Sequence, residues 1–285
     1  MRDDFAVLVL SNGRPDRMLT LRSLGHAGYT GRTYIVIDDE DPTGDEYRRR
    51  FGDDVLTFSK ADVASRVDQA DRSTDRRTIL FARVAAFELA RELGLRYLME
   101  LDDDYLSFLY RTVDRFGQAH GTMIRSFDRV VDEMIRLLEE TGALTVAMSQ
   151  GGDHIGGSLS GTIRSGFKRK AMNSFVARVE RPIPFAGRLN EDVNAYTLEG
   201  SCGALFLSPS ILQLNQVQTQ GSAGGMTDAY LASGTYVKSF YSVMMCPSFV
   251  TIASMGRTDR RLHHRVDWDH AIPKIVGPEL RRVES

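Results

Sequence analysis

An α/β fold built on an open sheet flanked by helices is what the sequence predicts, on three observations. Short apolar runs, Phe5-Ala6-Val7-Leu8-Val9-Leu10 and Tyr34-Ile35-Val36-Ile37, have the composition of strands buried on both faces. Between them Met18, Leu19, Leu21 and Leu24 recur at near-helical spacing, so the N-terminal segment reads strand, helix, strand, a parallel pair joined by a crossover. Each strand then ends in polar residues, and in open α/β sheets ligands bind beyond the carboxyl ends of the strands.

The elements follow in order. The first strand breaks at Ser11-Asn12-Gly13-Arg14-Pro15, and the first helix is expected to stop at Gly25 and Gly28. The second strand ends in Asp38-Asp39-Glu40-Asp41. A turn at Asp41-Pro42-Thr43-Gly44 leads through a charged segment to a short strand, Val55-Leu56-Thr57-Phe58. Residues 60–78 are polar and read as a surface loop. Leu80, Val84, Phe87 and Leu89-Ala90 predict an amphipathic helix from about Thr78 to Leu93, capped by Gly94. The strand after it, Arg96-Tyr97-Leu98-Met99-Glu100-Leu101, runs into Asp102-Asp103-Asp104. A further helix spans Phe127 to Thr141 before Gly142, and Leu144 to Met148 is a strand. Residues 150–166 are rich in glycine and read as a loop; Arg164 to Lys170 is basic. Ala204 to Leu207 reads as a strand, and Val237 to Val250 carries mixed strand signals. With no repeat and no interior linker, residues 1–285 read as one domain with a functional C-terminal tail.

Composition narrows the class. Hydrophobic residues make up 42% and charged residues 26% of the 285, ordinary for a globular protein. A net charge of −2 excludes a globally basic nucleic-acid binder and leaves room for a local basic patch. Cys202 and Cys246 make no disulfide framework and suit a reducing compartment. No signal-like start and no long apolar span are seen, so a soluble cytoplasmic protein is expected. Neither a Gly-x-x-x-x-Gly-Lys loop nor a Gly-x-Gly-x-x-Gly fingerprint occurs, which argues against a P-loop kinase and a dinucleotide dehydrogenase.

Three consecutive carboxylates repel one another and lose hydration if buried, and sharing a divalent cation relieves both costs. Asp102 and Asp104, two apart, would face the same side of an extended chain and reach one Mn²⁺ or Mg²⁺. A nucleotide-diphosphate site also needs contacts to base and ribose, for which Ser11, Asn12, Gly13, Arg14, Asp38 and Asp39 are candidates. Arg76, Arg77 or Arg83 could reach the phosphates. Glu191-Asp192 is a second acidic pair, able to supply a general base apart from the metal or simply to favour a helix start. His263, His264 and His270 cluster near the C-terminus, where a neutral imidazole could complete a Mn²⁺ shell.

The βαβ start, Ala82-Arg83 ahead of Tyr97-Leu98-Met99-Glu100-Leu101-Asp102-Asp103-Asp104, the later Asn190-Glu191-Asp192 and the C-terminal histidines together resemble a GT-A-fold nucleotide-sugar glycosyltransferase. Gly225-Met226-Thr227-Asp228-Ala229-Tyr230, Tyr236-Val237-Lys238-Ser239-Phe240-Tyr241 and Trp268 to Ile275 look more specifically like the phage-type TET/JBP-associated glycosyltransferases, which are inferred to act on hydroxymethylated pyrimidines in DNA. The resemblance implies a GT-A-like (Rossmann-like) mixed sheet, with residues 1–105 as the nucleotide-sugar half and 106–285 as the acceptor half. It implies Mn²⁺ or Mg²⁺ on Asp102 and Asp104, with Asp103 as an alternative ligand and His263 or His264 as a further one. By the same resemblance Asp192 is the base of an inverting transfer, and the donor is a UDP-sugar such as UDP-glucose. Modified double-stranded DNA would be the acceptor, in the cytoplasm of a phage-infected bacterium. Its candidate contacts are Arg164, Phe167, Lys168, Arg169 and Lys170, four cations and a ring for stacking. A glycosyltransferase of the same fold acting on a glycan, protein or small molecule, and a non-catalytic nucleotide-sugar-binding module, are the rival readings.

Overall fold

A computed structural model of the chain describes residues 1–116, 118–151, 173–217, 237–255 and 261–281. Its main sheet has seven strands in the order β10-β7-β9-β4-β1-β2-β3. Four run parallel at its heart: β1 (Phe5–Leu10), β2 (Arg32–Asp38), β3 (Val55–Phe58) and β4 (Tyr97–Asp102). Beyond β4, β9 (Phe175–Arg178) runs antiparallel, followed by β7 (Thr145–Ala147) and β10 (Phe206–Leu207). This is a mixed α/β sheet flanked by helices, as the sequence led us to expect.

The apolar runs are strands because both sheet faces are covered. Phe5, Val7 and Val9 pack on one side with α1 (Leu19–His26) and α5 (Phe127–Thr141). Ala6, Leu8 and Leu10 pack on the other with α3 (Lys60–Arg66) and α4 (Leu80–Glu92). Since β2 and β4 flank β1 on opposite sides, a topological switch point lies between β1 and β4. There Leu10 is level with Asp102, so the Ser11–Arg14 loop and the acidic turn leave the sheet side by side.

Several expected boundaries shift. The first helix runs through Gly25 to His26, and the chain reverses at Gly28, whose φ of +76° and close approach to the Arg125 carbonyl exclude a side chain. Within 60–78, the first residues form α3, capped by the Ser59 hydroxyl. The charged segment after Thr43 is also a helix, α2 (Gly44–Phe51), buried through Gly44 and Tyr47. A second sheet, β6 (Ala119–Met123), β5 (Tyr105–Val113), β11 (Leu212–Gln216) and β8 (Ser149–Gln150), forms beside the first. Val237 to Met245 is a helix (α7) rather than a strand, packed on α6 (Glu191–Ser201) and on the hairpin β12 (Val250–Met255)/β13 (Arg261–Val266). A short α8 (Trp268–Ala271) follows. Among the described residues no helix is long and apolar enough to cross a membrane.

Candidate active site at the β1–β4 switch point

Three acids at the end of β4 have three different surroundings. Extended backbone ends at Asp102, and Asp103-Asp104 form the turn into β5, so the alternation expected of an extended chain does not apply. Asp103 is the most buried, 1% exposed, and takes the Ser11 hydroxyl at 2.5 Å and the Arg14 guanidinium at 3.3 Å. It locks the β1 loop to the β4 end. Asp102 accepts from the Asn173 amide on Oδ2, while its buried Oδ1 has no hydrogen bond and stands 3.6 Å from Arg83. Burial pushes Asp102 up to about 6 against the opposing pull of Arg83, and Asp103 up to about 6 against Arg14. Asp104, half-buried, is raised by burial and then by the charge of Asp103.

The predicted donor loop is tightly built. Tyr47, fully buried on α2, lies 2.6 Å from the Ser11 hydroxyl and accepts the Arg14 amide at 3.0 Å. Gly13, at φ +70°, gives its amide to Asp41 at 2.8 Å. Asp38 accepts from Asn12 at 3.0 Å and from Lys60 at 3.2 Å, whereas Asp39 is exposed and caps the amide of Lys60. Tyr47 and Lys60 had no signal in the sequence beyond their type, and Asp41 stood only in the acidic strand end and the turn after it. Arg76 is on the surface against Glu40, and Arg77 pairs with Asp75.

Arg83 lies elsewhere. Its guanidinium is 3% exposed and joins three elements, donating to Glu191 at 2.8 Å and to Glu100, with Asp102 alongside. The position predicted to touch phosphate is the buried centre of a carboxylate cluster. Burial raises Glu100 to about 8 and raises Glu191 as well, with Arg83 opposing both. The two acids of the later motif thereby separate: Glu191 is a buried ion-pair member, and Asp192 is half-buried on the first turn of α6.

Asn190, at φ +56°, sets that turn in a conformation asparagine tolerates. Its amide nitrogen lies 2.9 Å from the Lys238 carbonyl, 3.1 Å from the Ser242 hydroxyl and 3.1 Å from His264 Nδ1. The β12–β13 hairpin thus brings His264 to the entrance of α6, with the His263 ring beside it, tilted by 38° at 4.2 Å. Arg188 anchors the same corner by bonding Asp71 at 3.1 Å and the Tyr241 hydroxyl at 3.1 Å. Among the described residues no three His, Cys, Asp or Glu side chains converge as a metal centre. The hairpin brings His264 to Asn190, and His263 Nδ1 lies 2.9 Å from the His264 carbonyl. His270 is at the surface with Asp267. Arg164, Phe167, Lys168, Arg169 and Lys170 lie outside the described residues, as do Gly225 to Tyr236.

The model of one family, TET-Associated Glycosyltransferase, matches residues 5–225. The chain belongs to that family. As a TET-associated glycosyltransferase it is an enzyme of sugar transfer, and the matched span contains both acidic motifs and the Ser11–Arg14 loop. No curated protein matches. Solved structures with a partial likeness include a mannosyltransferase from Pyrobaculum calidifontis in complex with GDP-Man and Mn²⁺ (12% identity, TM-score 0.46, 87% of this chain and 74% of that one). Glucosyl-3-phosphoglycerate synthase from Mycobacterium tuberculosis, with Mn²⁺, UDP-glucose and phosphoglyceric acid, gives 11% identity and a TM-score of 0.43 over 93% of this chain and 90% of that one. S. aureus TarS 1-349 with UDP-GlcNAc gives 12% and 0.45 over 85% and 66%.

Proposed function

We propose that this TET-associated glycosyltransferase moves glucose from a UDP-sugar to the hydroxymethyl oxygen of a modified pyrimidine in DNA, with a divalent cation held by Asp102 and Asp104. The observation that carries the donor half is the buried Oδ1 of Asp102, which has no hydrogen bond. Around it Glu100, Asp102, Asp103, Asp104 and Glu191 outnumber the two guanidiniums, Arg14 and Arg83, that face them. Even with Glu100 protonated, negative charge is in excess, and these groups suit Mn²⁺ or Mg²⁺, which take oxygen ligands and fill the remaining shell with water and substrate phosphate. A cation bound there neutralises charge on the leaving diphosphate.

The chain's own residues do the rest. The amides and side chains of Ser11–Arg14, with Asp39 at the surface beside them, receive the nucleoside. Asp192 accepts the proton of the acceptor hydroxyl as its oxygen bonds the anomeric carbon and the bond to the diphosphate breaks, giving inversion. Glu191, held by Arg83, fixes the turn that carries Asp192. The DNA acceptor rests on family membership and on the basic stretch Arg164 to Lys170, with Phe167 to stack on a base or sugar. A hydroxymethyl group on C5 projects into the major groove, so the acceptor can be reached without flipping the base. A DNA acceptor carries with it a cytoplasmic site of action.

Mass spectrometry of hydroxymethylcytosine and hydroxymethyluracil DNA, incubated with Mn²⁺ and a panel of nucleotide sugars, tests the whole reading. One added hexose from UDP-glucose is expected; sugar transfer only to a glycan, protein or small molecule overturns the acceptor. For the metal, Asp104→Asn is expected to weaken Mn²⁺-dependent UDP binding by at least about 10–100-fold, the usual effect of disturbing a metal site. Calorimetry reads this, and unchanged affinity removes Asp104 from the site. For the acceptor, neutralising Lys168, Arg169 and Lys170 together is expected to weaken DNA binding and flatten its salt dependence by about 0.9 in log–log slope per lost phosphate contact. Equal slopes for wild type and variant reject the segment as the DNA contact.

A further inference from the structure

Asp102 is hydrogen-bonded on one oxygen only; the other, Oδ1, faces the Arg83 guanidinium at 3.6 Å. Asn173, just ahead of β9, donates its amide N–H to Asp102 Oδ2. The Asn173 amide is itself fixed from behind. Its Oδ1 accepts from Gln150 Nε2 at 3.1 Å, and its backbone carbonyl accepts from the Tyr105 hydroxyl at 2.9 Å. Gln150 also donates to Gln216 Oε1 at 3.3 Å. Gln150 is on β8 and Gln216 on β11, neighbouring strands of the second sheet, so the chain of amides is anchored in regular structure. Its direction has one solution. Turning Asn173 over would set its oxygen against a carboxylate and its NH₂ against the NH₂ of Gln150.

We propose that Asn173 is the positioning residue of Asp102, and that Gln150 acts on Asp102 through it. The hydrogen bond occupies Oδ2 and leaves Oδ1, which has no hydrogen bond and only Arg83 at 3.6 Å, as the oxygen of Asp102 for a divalent cation, an inference that rests on the reading of Asp102 as a cation ligand. None of these amides recurs in a pattern that marks them in the sequence. Their role follows from the chain Gln216–Gln150–Asn173–Asp102. A carboxylate fixed by an outer partner loses less freedom on binding metal, and outer partners of this kind are worth 10–100-fold in metal affinity.

The test is Mn²⁺ binding alone, without donor or acceptor, followed by titration calorimetry on the full chain. Asn173→Ala and the better space-filling Asn173→Leu are expected to weaken binding by about 10–100-fold. Gln150→Ala should have a smaller effect, and the double variant Gln150→Ala/Asn173→Ala should be no weaker than Asn173→Ala. A purely structural role predicts the opposite for the pair, with losses that add and follow the change in melting temperature. Unchanged Mn²⁺ affinity in the Asn173 variants, or additive losses, overturns the inference while leaving Asp102 as a ligand, provided Asp102→Asn abolishes binding. Unchanged binding in Asp102→Asn overturns the cation reading and this inference with it. If the Asn173 variants do not fold, Gln150→Ala carries the test: a partial loss supports the relay and an unchanged affinity rejects it.

Discussion

Arg83→Met is expected to destabilise the fold by about 3–5 kcal/mol, the usual consequence of taking one partner from a buried ion pair. Methionine fills much of the same volume, so the loss is electrostatic. The side chain is 3% exposed and Glu100 is fully buried, so water cannot replace the guanidinium. Glu191 would keep its place on α6 with no cation within reach of its bonded oxygen. The effect has a pH signature. Glu100 is held at about 8 against an ordinary 4.5, so its burial costs more stability as pH rises through that interval. Arg83 opposes that rise, so its removal moves the folded-state value of Glu100 higher still, and the gap between variant and wild type should widen as pH rises above about 8. Urea unfolding on either side of that value measures it. A difference below about 1 kcal/mol, the range of exposed pairs, would mean that the cluster is not held by Arg83.

What the sequence made visible follows from physics that is local. β1 and β2 are apolar throughout because both faces of the sheet are buried, and that composition does not depend on distant partners. α5 matches its predicted span because six apolar residues line one face and Gly142 ends it in the left-handed conformation. The acidic turn stood out because three adjacent carboxylates are costly without a purpose. Elements whose identity depends on neighbours were hidden. The segment Val237-Lys238-Ser239-Phe240-Tyr241-Ser242-Val243 has the β-branched and aromatic residues of a strand, yet it is helical because Ser239, Tyr241 and Ser242 meet His264, Arg188 and Asn190 along one side. α2 has only Gly44 and Tyr47 buried, so no apolar period announced it.

The same division runs through the site. Asp102 and the Ser11–Arg14 loop were found as strand ends, a local property. Arg83 looked like a phosphate contact because a helix arginine near an acidic strand carries no mark of being buried. Its partners, Glu100 and Glu191, come from strands and helices far apart in sequence. Asn173 and Gln150 are amides in polar surroundings, and only the pairing of β8 with β11 and the approach of β9 to β4 bring them to Asp102. Conversely, the histidines were read by type and assigned to metal, and the register of the β12–β13 hairpin brings His264 to Asn190.

Asp192→Asn is expected to lower transfer by roughly 10²–10⁴-fold while leaving Mn²⁺ and UDP binding within about threefold of wild type, the signature of losing a positioned general base. The substitution nearly conserves shape. It removes one negative charge from the first turn of α6, a change worth about 0.3–1 kcal/mol in stability, so the protein stays folded. Glu191 cannot stand in, although it is adjacent. It is 7% exposed, its Oε1 is bonded to Arg83 at 2.8 Å, and freeing it would break the cluster that holds the turn. The contrast between the neighbours is the sharper test: Glu191→Gln should lose stability first, and Asp192→Asn should lose rate with little change in stability. Initial rates of glucose transfer, UDP affinity and urea midpoints for the two variants decide the matter. A parallel fall in UDP affinity for Asp192→Asn would move this residue into the donor pocket, and an unchanged rate would end its assignment as the base.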